Sequence, residues 1–409
     1  MFMRSTLFRT VSVGALGALI MAGAAQAAEK LRVGMTVSST GSFALASQSG
    51  ARGIDIWVDD VNKRGGIEIG GKKVPVEIVK LDDRSDKQMV TRVYENLISD
   101  EKVDLVFAPF GSTLTAAAAT VTERHGKYMM VWSAASNDLY RQGFKYMVSG
   151  TQMPVSAILR ASTELAKDLG VKKVAIIHSD EPYPAGEAEG GRELVKEAGM
   201  ELVLLEKFPK GQKDFSTILQ KVRASGAEAL FPAAYEGDQI SILRQMKQLN
   251  IHFPFVFMEY ASTPQFAAAV GKDGAYIFSH TNYHPAINWA VTAGLNRQQF
   301  ADAYKAKFPN AEFAPDYQTV LAYGAGVLTE EIIKKAGSTD AAALKKASLD
   351  LSDKVTVLAG PYAIDETGKQ LKMPFPVLQA QTDGRLETVW PKDVATVKPV
   401  FPIPAWNKR

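Results

Sequence analysis

The sequence predicts an α/β protein built as two doubly wound parallel-sheet lobes, and three observations carry that reading. Strand-like and helix-like segments alternate from residue 31 onward, the pattern of parallel strands joined by covering helices. The alternation begins afresh near residue 153. A chain of 409 residues also exceeds what one hydrophobic core usually serves, so two are expected.

Taken in order, LRVGMTV is the opening buried strand. Ile54, Trp57, Val58 and Val61 follow at the i, i+3, i+4, i+7 spacing of one helix face, and Gly65 and Gly66 stop that helix. VPVEIVKLDD is the next strand, Met89, Val93 and Leu97 mark a helix, and VDLVFAPF, an alanine-rich helix and YMMVWSAAS complete the first set. The second set opens with a helix through Ile158, Leu159, Leu165 and Leu169 before the strand VKKVAIIHSD. A helix from about residue 185 to Ala198, MELVLLEKF, a helix through Phe215, Ile218, Leu219 and Val222, and ALFPAAY continue it. Ile242, Leu243, Met246 and Leu249 line one more helix before FPFVFMEY. After YIFSHTNY come helices at about 295–308, 316–336 and 340–348, then a strand-rich tail. No Pro/Ser-rich linker separates the sets, so short crossings are expected to connect them.

Residues 1–27 have the form of a secretory leader: Arg4 and Arg9, a short apolar run at 11–25, and Ala25-Gln26-Ala27 as a cleavage site. The run is shorter than the ~18–20 apolar residues of a membrane span. The chain contains no cysteine, which excludes lipid attachment at cysteine, disulfides and thiolate chemistry. Lys and Arg number 47 against 44 Asp and Glu, and two of the basic residues fall in the leader. So balanced a charge gives no electrostatic footprint for nucleic acid.

SSTGSFA after the opening strand, a helix ending NKRGGI, VEIVKLDD with DKQMV, GSTLT, WSAAS, AIIHSDEPYPAG, KDFSTIL and the late GPYAIDETGK stand in one order and spacing. In this the chain resembles the type I periplasmic binding proteins of ABC transporters, specifically the leucine/isoleucine/valine-binding family. The resemblance implies two lobes joined by three crossings, one from residues 28–148 with 283–351, the other from 149–282 with 352–409. It further implies a periplasmic monomer that takes a small amino acid-like ligand and delivers it to an inner-membrane ABC permease.

In open α/β sheets ligands sit beyond the carboxyl ends of the strands, where helix N-termini offer free N–H groups. Ser112 and Thr113 follow VDLVFAPF, and their hydroxyls and amides are candidates to hold a carboxylate. The Ala134 backbone and the Ser136 hydroxyl, after the next strand, would complete the grip. A plainer role for both serines is helix capping, worth ~1 kcal/mol each. Across the cleft, Tyr183, Tyr235 and Glu259 each follow a strand and match the family's wall of rings and carboxylate. The rings can pack an apolar side chain, and Glu259 can accept an α-ammonium group. Their plainer role is at the edge of the core and on the surface.

The family's disulfide near the GSTLT loop is absent, Gly111 standing there, and Trp132, Phe43 and Tyr260 make the cleft aromatic. Branched-chain amino acids are the nearest named ligand class, with aromatic acids or amides as alternatives. His280 and His284 have the spacing of helical metal ligands, but Pro285 and the strand-like IFSHTNY remove its meaning. Asp82, Asp83 and Asp86 form an acidic turn of the kind more often solvated than cation-binding. G-x-S-x-G, P-loop and G-x-G-x-x-G motifs are missing from the chain after the leader, so neither enzyme activity nor a cofactor is expected. A hydrolase of small amides or a periplasmic sensor remain the rival classes.

Overall fold

The structure is a computed structural model that describes Met1 and residues 30–409; the leader's apolar run and cleavage site lie outside the described residues. In the first lobe the chain runs β1 (Leu31–Val37), α1 (Ala44–Lys63), a small hairpin of β2 (Ile67–Ile69) and β3 (Lys72–Val74), then β4 (Val76–Asp82) and α2 (Lys87–Ser99). β5 (Leu105–Phe107), α3 (Ser112–Arg124), β6 (Met129–Val131) and β7 (Met147–Ser149) complete its sheet. The five strands are parallel in the order β4-β1-β5-β6-β7. The winding reverses between β1 and β5. A crevice opens beyond the carboxyl ends of the strands at such a reversal.

The second lobe repeats the plan with α4 (Arg160–Asp168), β8 (Lys173–Ser179), α5 (Pro182–Glu197), β9 (Glu201–Phe208), α6 (Ser216–Ala224), β10 (Ala229–Ala233), α7 (Glu236–Gln248) and β11 (Phe255–Val256). Its parallel order is β11-β10-β8-β9, so the reversal falls between β8 and β10. After α8 (Pro264–Val270), β12 (Phe278–His280) continues this sheet through a parallel bridge between Phe257 and Phe278. The chain then returns to the first lobe with α9 (Arg297–Lys307), α10 (Tyr317–Ala336) and α11 (Ala341–Asp350), followed by the hairpin β13 (Val355–Val357) and β14 (Gly360–Tyr362). β15 (Val377–Ala380) and β16 (Leu386–Trp390) pair antiparallel beside β12. The strand-rich tail therefore extends the second sheet.

Close packing of α1 on α10 explains two glycines. A Cβ on Gly53 would stand 2.0 Å from the Thr319 carbonyl oxygen, and one on Gly326 would stand 2.5 Å from the Trp57 ring. Asp316 caps α10, accepting from the Thr319 N–H at 2.9 Å, and also accepts from Ser49 Oγ of α1 at 2.6 Å. One carboxylate thus starts the helix and locks it to its neighbour.

Three strands of backbone cross between the lobes and are bonded to one another. Ser149 N–H donates to Gly368 O at 2.7 Å, Gln370 Nε2 to Gly150 O at 2.8 Å, and Asn282 Nδ2 to Ala359 O at 3.1 Å. The hairpin β13–β14 packs on α10, and Tyr362 Oη donates to Ser348 O of α11 at 3.1 Å. Several elements differ in extent from the sequence reading, two of them beside the cleft. α5 begins at Pro182 rather than near 185, because proline at the first helical position is already set at a helical φ. The strand expected at 128–136 ends at Val131, after which the chain turns through the serines. Among the described residues no helix is long and apolar enough to cross a membrane.

Candidate functional site

Both winding reversals face the same space. From the first lobe come Phe43, ahead of α1, and the run Phe110 to Thr113 leading into α3; from the second come Tyr183 in the first turn of α5 and Tyr235 just before α7. Rings meet across the gap, Phe43 to Tyr235 at 4.8 Å between centroids and Phe110 to Tyr235 at 6.3 Å, and Tyr183 lies 5.6 Å from Tyr235 on its own side. Tyr183 and Tyr235 are buried, so the lobes stand closed on one another. At the rim Lys210 pairs with Glu181 at 3.0 Å and lies 5.6 Å over the Phe43 ring, linking the lobes a second time.

The first-lobe wall is neutral and rich in donors. Gly111 holds φ 83 and ψ 152, a region closed to side chains, and its N–H donates to Ser133 Oγ at 3.2 Å. A Cβ at Gly111 would stand 3.4 Å from Tyr235 Oη. Ser112 Oγ accepts from the Ser136 N–H at 3.1 Å, which joins the two serines and leaves the Ser112 hydroxyl proton for another acceptor. Ala134 is buried in the same turn, and its N–H forms no hydrogen bond within the described residues. Among the described residues the buried Thr113 Oγ1 has no partner, and neither does Tyr235 Oη opposite. A buried polar atom without a partner costs about 1–3 kcal/mol, so these atoms call for one.

The second-lobe wall is acidic. Tyr183 Oη donates to Glu259 Oε2, and the other oxygen of Glu259 stands 3.7 Å from His280 Nε2. Glu187, one turn beyond Tyr183 on α5, is buried beside them. Burial first and the Glu259 charge second push Glu187 well above the usual carboxylate range, against a smaller opposing pull from Tyr183. Burial, then the charges of Glu187 and Glu259, raise the Tyr183 phenol as well. Ser279 Oγ donates to the Glu259 carbonyl at 2.8 Å and fixes that turn.

All seven residues nominated from the sequence lie at these strand ends, with Ser112 joined to Ser136 and Tyr183 joined to Glu259 and tilted against Tyr235. Glu187 was missed, although its i+4 spacing from Tyr183 placed both on one helix face. His280, considered as a metal ligand, stacks instead on Phe375 at 4.5 Å and backs Glu259. His284 lies elsewhere, bonded to Leu386 O at 2.9 Å. Asp83 is not solvated as expected of that turn: it is fully buried and accepts from Thr36, Ser38 and the Ser85 N–H, holding the loop after β1. Asp86 caps α2. Among the described residues no three His, Cys, Asp or Glu are grouped to hold a metal ion.

Two sheets with facing reversals, three crossings and a closed cleft define a two-lobed solute-binding protein. Residues 30–385 match the periplasmic binding protein family, and the chain belongs to it. It is 27% identical over 400 residues to Leu/Ile/Val-binding protein homolog 7 of Brucella suis, with 94% of this chain and 96% of that protein covered. Its fold is similar to the branched-chain amino acid substrate-binding protein of Streptococcus pneumoniae in complex with isoleucine, at TM-score 0.75 and 23% identity over 88% of this chain and 98% of that one. A solute-binding protein of Rhodopseudomonas palustris in complex with 3,4-dihydroxybenzoic acid superposes at TM-score 0.75 and 21% identity, covering 93% and 99%.

Proposed function

We propose that the protein is the solute receptor of an ABC importer and that it carries an α-amino acid-like ligand between its lobes, without turning it over. One chain of contacts carries the ligand class: Tyr235, whose hydroxyl stands 3.4 Å from a Cβ at Gly111 before α3, lies against Tyr183, which bonds Glu259. A zwitterion fits both ends, its carboxylate at Ser112, Thr113, Ala134 and Ser136 and its ammonium at Glu259, with Tyr183 and Tyr235 against the remainder. Branched-chain amino acids are the class named for the relatives. Four clustered rings, Phe43, Phe110, Tyr183 and Tyr235, favour an aromatic acid or amide as the second reading. A simple aromatic acid, however, brings no cation to Glu259.

In this reading the leader at 1–27 exports the chain to the periplasm, the protein acts as a monomer, and closure around the ligand presents the bound shape to an inner-membrane permease. The lobes are taken as residues 28–148 with 283–351 and residues 149–282 with 352–409, with the hairpin β13–β14 lying against the first lobe through the Tyr362 bond to Ser348. Melting curves of the purified protein against α-amino acids, aromatic acids and amides test the assignment. An upward shift with α-amino acids that are recovered unchanged by mass spectrometry is the expected result. Shifts confined to aromatic acids, or conversion of the ligand, would overturn it.

A further inference from the structure

We propose that Glu187 is a second ligand-contacting carboxylate of the cleft, and that it selects an α-amino acid whose side chain ends in a nitrogen donor, an ammonium or a carboxamide, over a branched aliphatic one. This rests on the reading of Glu259 as acceptor of the α-ammonium group. Glu187 is only 2% exposed, and its Oε2 has no hydrogen-bond partner. It forms no ion pair among the described residues, whereas Glu181 nearby is matched by Lys210. Tyr183, the side chain on its own helix face, gives its hydroxyl proton to Glu259. A buried carboxylate left in this state is unfavourable unless neutral or supplied with a donor.

An aliphatic side chain supplies none. A nitrogen group does, and it meets a further oxygen without a partner among the described residues at Tyr235 Oη, on a residue 5% exposed. The flanking tyrosine faces suit a cation or an amide edge equally. Burial and the Glu259 charge push Glu187 toward its protonated form, so the two ligand types leave different traces. An ammonium ligand displaces the Glu187 proton to the buffer. A carboxamide leaves it in place.

Calorimetric titration of the purified protein with leucine, isoleucine, glutamine, asparagine, lysine and ornithine tests this, using wild type, Glu187→Gln and Glu187→Leu. A nitrogen-bearing ligand should bind about tenfold or more tightly than leucine. Glu187→Leu should erase that preference, bringing the nitrogen-bearing ligand to within roughly threefold of leucine. Glu187→Gln, close in shape and neutral, should retain a carboxamide ligand and lose an ammonium ligand; it carries the test alone if the leucine variant does not fold. Proton release, read in two buffers of different ionisation enthalpy, should approach one with an ammonium ligand and zero with a carboxamide. If both variants change every affinity by the same factor, or wild type prefers leucine, Glu187 is a structural residue and the proposal is overturned, with Glu259 unaffected. If no α-amino acid binds, the underlying reading falls and takes this one with it.

Discussion

The two walls of the cleft are made from equivalent places in two equivalent sheets, yet their chemistry is opposite. At the first lobe's reversal stand Gly111, Ser112, Thr113 and the turn at 133–136, small groups offering N–H and hydroxyl donors without a formal charge. At the second lobe's reversal stand Tyr183, Tyr235, Glu187 and Glu259, large groups carrying buried carboxylates. Equal topology provides equal openings, and the side chains alone give the cleft a direction. A ligand with an anionic and a cationic end has one favoured orientation between such walls.

The largest test of this asymmetry falls on Glu259. Glu259→Gln keeps an acceptor for Tyr183 but removes the charge, and should weaken an ammonium-bearing ligand by about 2–5 kcal/mol, measured by calorimetry. Unchanged affinity would show that the acidic wall does not hold the ligand's cation.

A second test concerns the lobe boundary at the start of α7, where acids again face each other. Burial, followed by the charge of Asp316 from the first lobe, raises Glu236 of the second lobe to about 7, against an opposing bond from Thr263. A raised carboxylate favours the folded, closed protein when protonated. That stability is complete below the ordinary carboxylate range near pH 4.5 and is lost as pH rises through about 7. Thermal melts of the ligand-free protein should show a loss on the order of 3 kcal/mol across that window, flattened in Glu236→Gln. A flat wild-type profile would remove Glu236 from the account.

The smallest effect is expected on the neutral wall. Ser112→Ala removes the acceptor of the Ser136 N–H and one ligand donor, and should weaken binding by about 1 kcal/mol with little change in which ligand is preferred. A loss as large as that of Glu259→Gln would mean that the two walls contribute equally, contrary to the comparison above.

Much of this was legible from local signals. The apolar runs of β1, β8 and β10 and the i, i+4 stripe of α1 mark buried strands and one-sided helices wherever the partners lie. Ser112, Tyr183, Tyr235 and Glu259 could be nominated because a strand end is itself a local feature, and the chain order of parallel strands puts those ends on one side. Glu187 escaped because an acid on a helix looks like a solvated face until something covers it. Asp83 was misjudged for the same reason, since the Thr36 and Ser38 hydroxyls that bury it are far away in sequence.

By itself, then, the sequence determined which segments become strands and helices, that two sheets form, and which residues stand at the cleft-facing strand ends. Those properties follow from periodicity and chain order, which act over a few residues at a time. Only the tertiary structure decided that Phe43 meets Tyr235, that the third crossing is tied to the first at Ser149 and Gly150, and that Glu187 is shut in beside Glu259 without a cation. These depend on how two separately built lobes close, and burial by a distant surface is what turns an ordinary glutamate into one that requires a partner.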